Sequence, residues 1–227
     1  MTAQGQFETD VISTSAGDLS ITFLGHGSLL ILFKGMNIFI DPFGNVADYT
    51  LLPKADLVLA THEHYDHFDL PALSAIRTDK TILVQTELCA QQATGGIVMR
   101  NGDEQIVAGI LIQAVPAYNL VHKRPSGDPF HPKGCGNGYI LSYGGTRLYV
   151  AGDTENIPEM KALKEIDIAF LPMNLPYTMT PEMVAEAAMA FRPHILYPYH
   201  YGDTDPRELV ELLKGEKEIE VRIRRMA

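Results

Sequence analysis

Short apolar runs separated by turn residues dominate the first part of the chain, and they predict β-structure. Residues 18–24 and 28–33 are two such runs. Lys34-Gly35 divides the second from residues 36–40 as a hairpin turn would, and Asp41-Pro42 ends that strand. From residue 55 the pattern changes. Residues 55–60 read as a buried strand that runs directly into His62-Glu63-His64-Tyr65-Asp66-His67. A short helix follows, with Asp69 as N-cap, Pro71 in the first turn, and Leu70, Leu73 and Ile76 at threefold spacing. Residues 81–85 predict the next strand.

Beyond a segment around Asn101-Gly102-Asp103, strands are predicted over 109–115, 138–143 and 146–151, with Gly144-Gly145 turning between the last two. Residues 166–171 form another. Thr180 and Pro181 open a helix that continues through Phe191; residues 194–198 predict a strand, 206–214 a helix and 219–223 a final strand. Strand-rich stretches lead into helices in both halves of the chain, which predicts two packed sheets with helices outside. The segments rich in His and Asp begin where strands end, at Thr61, Gly152 and Tyr199. Strand ends are rigid anchors for loops that carry chemistry.

No linker or low-complexity tract divides the 227 residues, so one domain spanning 1–227 is expected. With 46% hydrophobic and 20% charged residues, the chain has the composition of a globular protein rather than a disordered one. No apolar run is long enough to span a bilayer, so no membrane partner is expected. Residues 1–10 lack the basic start and apolar stretch of a signal peptide, and Cys89 and Cys135 do not make a disulfide framework. A cytoplasmic location is therefore expected. The net charge of −10 repels phosphate backbones and argues against nucleic acid as a partner. Arg222, Arg224 and Arg225 are the one dense basic cluster and read as the solvated end of a strand. A homo-oligomer is compatible with all of this, and nothing in the sequence decides it.

The chemistry concentrates in one place. His62, His64, Asp66 and His67 fall within six residues and include three of the eight histidines. Imidazole and carboxylate together suit a divalent metal of zinc type, with manganese or iron as further candidates. In a turn leaving a strand, His62 and His64 can face one side while Asp66 and His67 face a neighbouring position. One segment can then serve two metals about 3.5–4 Å apart.

His62-x-His64-x-Asp66-His67 resembles the signature of the metallo-β-lactamase superfamily, whose fold is an α/β four-layer αβ/βα sandwich. Leu24-Gly25-His26-Gly27-Ser28, Ile40-Asp41-Pro42-Phe43, Ala151-Gly152-Asp153-Thr154 and Pro198-Tyr199-His200-Tyr201-Gly202 are similar to the branch that contains ascorbate-6-phosphate lactonase-like and other metal-dependent hydrolases. The resemblance runs over roughly residues 18 to 203. It implies that His62 and His64 hold a first metal with a third histidine, that Asp66, His67 and His200 hold a second, and that Asp153 bridges them. The third histidine should precede the strand pair leading to Asp153. Both His122 and His131 lie there, and His131, 22 residues before Asp153, fits the spacing better. Asn119 is expected to be a local hydrogen-bonding group and Cys135 a small turn residue.

His26 is expected to contact substrate or support a metal ligand, and Asp41 to orient His62 or His64 or simply to form a turn. His194 is expected to be structural. In the implied mechanism a metal-activated hydroxide attacks the substrate, Asp66 orients it, and the leaving group is protonated by Asp66, His26 or bound water. There is no Gly-x-Ser-x-Gly nucleophile elbow. The expected substrate is a small lactone, ester or phosphorylated compound. Lys123 and Arg124 read first as decoration of a solvated loop, and alternatively as groups that overhang the site and bind an anion. A nuclease or phosphodiesterase of the same fold, or a non-catalytic metal-binding sensor, are the competing readings.

Overall fold

The first half of the chain builds one sheet in sequence order, seen in a computed structural model that describes residues 7–227. Residues 1–6, part of the N-terminal segment read above, lie outside the described residues. Four antiparallel strands, β1 (Glu8–Thr14), β2 (Gly17–Gly25), β3 (Ser28–Phe33) and β4 (Met36–Ile40), are continued by parallel strands β5 (Leu57–Leu59), β6 (Ile82–Gln85) and β7 (Ile97–Val98). Helices α1 (Leu70–Ile76) and α2 (Glu87–Gln92) lie in the parallel crossovers.

The second half repeats the plan. Antiparallel strands β8 (Glu104–Val107), β9 (Ile110–Ala117), β10 (Gly136–Tyr143) and β11 (Thr146–Val150) lead into parallel β12 (Ile168–Pro172), β13 (Ile195–Tyr199) and β14 (Glu220–Val221). Helices α3 (Pro158–Lys161), α4 (Pro181–Phe191) and α5 (Arg207–Leu213) connect the parallel strands. The result is the expected α/β sandwich of two mixed seven-stranded sheets.

Strand alternation decides what each face does. In β4, Ile38 and Ile40 enter the large core cluster shared by both sheets, while Phe39 enters a smaller one with Leu73 and Ile76 of α1. Leu57 and Leu59 of β5 divide from Val58 in the same way. Across the shared core, Phe170 of β12 stacks on Tyr197 of β13 at 4.9 Å, and Phe23 of β2 meets Tyr197 at 5.1 Å. Each fully buried large side chain contributes about 1.5–3 kcal/mol, enough in aggregate to hold rigid the strand ends that carry the site.

The local signals act as expected. Lys34 and Gly35, with φ of 49° and 80°, and Gly144 and Gly145, with 55° and 74°, give both hairpins the double left-handed turn that matches strand twist. Asp69 accepts the Ala72 N–H at 3.2 Å, and Thr180 accepts the Met183 N–H at 3.2 Å.

The unexpected elements are marginal ones. β1 is an edge strand with alternately half-buried and exposed residues, β8 is mostly exposed, and α3 has four residues, so none carries a strong apolar pattern. The short α2 and β7 escaped for the same reason, and the last strand spans only Glu220–Val221. Within the basic cluster Arg225 is exposed as expected, but Arg222 and Arg224 are only partly so. Arg224 binds Asp10 of β1 at 2.8 Å, Arg222 binds Glu220 at 2.7 Å, and Arg225 reaches Glu8 at 3.5 Å. Among the described residues no helix is long and apolar enough to cross a membrane.

Candidate metal centre

Asp153 organises the site. It follows β11 through Gly152, whose φ is +65° and where a Cβ would stand 2.9 Å from the Asn137 carbonyl oxygen. Glycine alone lets the chain turn in this closely. The Gly152 N–H donates to the Tyr199 hydroxyl at 2.9 Å, tying the turn to β13. Around the buried Asp153 carboxylate stand His131 Nε2 at 3.3 Å, His67 Nε2 at 3.4 Å, His200 Nε2 at 3.5 Å and His62 Nε2 at 4.0 Å.

Two donor sets flank this carboxylate. His62 and His64 leave β5, and His131 comes from the loop between β9 and β10; their ligand atoms lie within 4.8 Å of one another. His62 Nε2 and His64 Nδ1 are 3.1 Å apart. The second set joins Asp66, His67 and His200 with His26 over the same span, and a third grouping of His62, His67 and Asp153 links the two. Every histidine and aspartate expected at the site is therefore present in one cluster. His122 is outside it, with Nδ1 2.7 Å from Glu155 Oε1. His194, 3.3 Å from Asp167, is remote from the cluster.

The outer nitrogens of these rings are held. His62 Nδ1 lies 3.0 Å from the Thr61 hydroxyl, His131 Nδ1 2.8 Å from Asn119 Oδ1, and His67 Nδ1 2.8 Å from Asp41 Oδ2. With Nδ1–H donating outward, Nε2 is left as the inward lone pair that a cation needs. Asn119 is thus the local hydrogen-bonding group expected of it. Asp41 orients His67, not His62 or His64, because the β4 end also binds the Thr61 backbone N–H and hydroxyl and so faces the far side of the turn. His26 Nε2 binds Asp66 Oδ2 at 3.0 Å and its ring lies 3.7 Å from that of His200. Cys135 is half-buried beside His62 and His131, in a turn where its N–H donates to Pro132.

The backbone bends to reach this arrangement. Of the seven non-glycine residues with positive φ among the described residues, three are His26, Asp41 and His200, at 53°, 44° and 47°. Such strain persists only where the surroundings enforce it. The His200 N–H donates to the His26 carbonyl at 3.0 Å, and a Cβ at Gly27 would meet the His67 ring at 2.9 Å.

Burial and charge then set the protonation. Burial pushes His62 well below its ordinary value, lowers His64, and brings His200 down to about 4, so these rings are neutral at pH 7. Burial opposes ionisation of Asp66, but the His26 hydrogen bond and the nearby His67 bring its carboxyl to about 2. Asp153 is likewise buried, yet His200 and His67 hold it well below the usual carboxylate range. Burial works against a charged His67 too, but Asp153 and Asp41 outweigh it and raise that ring to about 9. Neutral imidazoles and ionised carboxylates are the ligand forms, so His62, His64, His200 and both aspartates are ready for a cation, while His67 would release a proton on binding one.

His67 Nε2, His200 Nε2 and Asp153 Oδ1 are buried with no hydrogen-bond partner. Leaving such atoms unpaired costs about 1–3 kcal/mol each. The donor set therefore fits a divalent cation by type, by the protonation of every member but His67, and by its unmet bonding.

A cleft of about 430 Å³ opens onto the second set, lined by Tyr65, Arg124, Phe130, Asn174 and Tyr177 as well as the histidines. Sequence reasoning missed Asn174, whose amide lies 3.3 Å from His200 Nδ1, and Glu155, whose carboxylate accepts the N–H groups of Leu120, Val121 and His122. Position after a strand would have marked Asn174, which follows β12 as Asp153 follows β11; Glu155 stands two residues beyond Asp153.

Comparison with known proteins agrees with this geometry. A profile described as "Beta-lactamase superfamily domain" matches residues 20–200. A UPF0173 metal-dependent hydrolase of Methanopyrus kandleri is 32% identical, covering 84% of this chain and 87% of the relative. A crystal structure from Parabacteroides distasonis, described as a candidate metal-dependent hydrolase, superposes with a TM-score of 0.93 at 48% identity, covering 97% of this chain and 100% of the other. Igni18, a metallo hydrolase of Ignicoccus hospitalis, gives a TM-score of 0.73 at 25% identity over 90% and 94% of the two chains. The chain belongs to the metallo-β-lactamase superfamily. Within that class it is a metal-dependent hydrolase, similar throughout to the UPF0173 group.

Proposed function

We infer that the chain holds two divalent ions, zinc first among the candidates, and hydrolyses a small ester, lactone or phosphorylated compound. His62, His64 and His131 would hold one ion, Asp66, His67 and His200 the other, with Asp153 between them. The observation that carries this reading is the Asp153 carboxylate, with four imidazole nitrogens within 4.0 Å and one oxygen unpaired. Ions bound there supply Lewis acidity and a hydroxide nucleophile at neutral pH.

The chain's own groups do the rest. Asp66, ionised at neutral pH, accepts a hydrogen bond from the attacking solvent and orients it. A carboxyl near 2 is a poor acid at pH 7, which leaves His26 or bound water rather than Asp66 to protonate the leaving group. Asp41, Thr61 and Asn119 fix the imidazole rings. A reducing, cytoplasmic setting belongs to the same reading and is supported by the two unpaired cysteines.

Elemental analysis combined with a panel of lactone, phosphodiester and thioester substrates tests this. Two equivalents of metal are expected, with hydrolysis of at least one class, and Asp66→Ala should keep the ion held by His62, His64 and His131 while losing turnover. Stoichiometric metal without turnover on any class would leave a binding protein instead.

A further inference from the structure

We propose that Arg124 is the recognition group of this cleft, and that the substrate carries a terminal carboxylate or phosphate in addition to the bond that is cleaved. This rests on the cleft being the substrate site, as the hydrolase reading requires.

Of Lys123 and Arg124, only Arg124 lines the cleft, alongside His26, Asp66 and His200. Its setting differs from that of most arginines here. Arg100, Arg192, Arg207, Arg222, Arg224 and Arg225 each lie within ion-pair distance of a carboxylate. Arg124 has no such partner among the described residues, in a chain of net charge −10. Arg77 and Arg147 also lack one, but they serve backbone carbonyls and a serine hydroxyl away from the cleft.

Arg124 is also held in place. Its guanidinium carbon sits 5.1 Å from the centroid of Phe130, and its Nη2 is 3.4 Å from the Phe130 carbonyl oxygen. Phe130 is in turn packed edge-on against Tyr177 at 5.0 Å. The Arg124 N–H donates to the Asp128 carbonyl at 2.8 Å, and the Gly127 N–H to the Arg124 carbonyl at 2.9 Å, so the loop closes on itself. The loop's root is fastened by fully buried Glu155, which accepts the N–H groups of Leu120, Val121 and His122 at 2.7 Å each. A guanidinium held over a ring keeps the N–H groups not spent on the Phe130 carbonyl available, and these match a carboxylate or phosphate in a two-point contact. Fixing it beforehand reduces the entropy lost when the anion arrives.

The test uses pairs of ligands that differ only at the distal end. Succinate, glutarate and adipate are compared with their monoamides by calorimetric titration into the zinc-loaded full chain. At least one diacid should bind about tenfold or more tightly than its monoamide, since every tenfold corresponds to 1.4 kcal/mol. Arg124→Ala should erase that preference, Arg124→Lys should restore part of it, and Lys123→Ala should leave it intact. Equal binding of acid and amide in all three pairs would overturn the proposal, as would a preference that survives Arg124→Ala or disappears in Lys123→Ala. These readouts need no turnover, so a protein that discriminates acid from amide yet hydrolyses nothing would remove the hydrolase reading and leave the anion site standing.

Discussion

Two carboxylates in this molecule are each surrounded by cationic or titratable partners, and they are built for opposite ends. Asp10, on edge strand β1, receives Arg224 at 2.8 Å through both of its oxygens, together with the Tyr197 hydroxyl at 2.6 Å. Burial pushes its carboxyl up, but Tyr197 and Arg224 outweigh that and hold it below its ordinary value. Its needs are met by permanent cations and nothing is left over. Asp153 has only imidazoles, at 3.3–4.0 Å, and keeps one oxygen without a partner. The first arrangement is a closed clasp between the chain's two ends; the second is an open request for charge. Completeness of hydrogen bonding, more than burial or the number of partners, separates a structural carboxylate from a functional one.

Removing the functional carboxylate should have the largest effect. Asp153→Asn should lower both metal content and turnover by well over the ~10–100-fold that follows loss of an outer supporting partner, while circular dichroism shows the fold retained. Smaller losses are expected one layer out. Asp41→Asn and Asn119→Ala should each weaken metal binding by about 10–100-fold, read by competition with a chromogenic chelator. An unchanged affinity in both would mean that ring orientation is set by packing alone.

The clasp should respond the other way. Asp10→Ala should cost about 1.5–3 kcal/mol in denaturant unfolding, from the loss of charge-assisted hydrogen bonds, and leave kcat/KM unaltered. Acid sharpens the contrast. Because the folded carboxyl of Asp10 titrates below its ordinary 3.8, its contribution is present above that pH and is lost as pH falls through the lower, folded value. The stability gap between wild type and Asp10→Asn should therefore be constant from pH 5 to 8 and close as the pH falls below about 4. The smallest effect belongs to Arg225→Ala, whose exposed pair with Glu8 should be worth at most about 0.5 kcal/mol; a larger loss would mean that the clasp extends to the chain's last residues.

The sequence made the metal-binding segments legible because their chemistry is local. His62 to His67 form a dense run, and Asp153 and His200 each follow a strongly apolar strand. The partners that hold those rings were less visible. Asp41 was assigned to the wrong histidine, since spacing does not say which side of a turn a carboxylate faces. Glu155 carries no motif at all, and its role depends on meeting backbone N–H groups more than thirty residues away in the chain. Arg224 looked solvated because its partner, Asp10, lies on β1, an edge strand whose half-exposed alternation gives little signal. Apolar periodicity exposes cores and strand ends, whereas polar pairing between distant segments leaves no periodic trace.

The left-handed backbone at His26, Asp41 and His200 has an evolutionary corollary. Glycine would relax each position, since only glycine adopts that conformation freely. That gain is set against the contacts each side chain makes; at Asp41 the Thr61 N–H, the Thr61 hydroxyl and His67 would all lose their acceptor, so selection for stability alone would not favour glycine there. The strained backbone is thus locked in by the polar contacts of the side chains it carries.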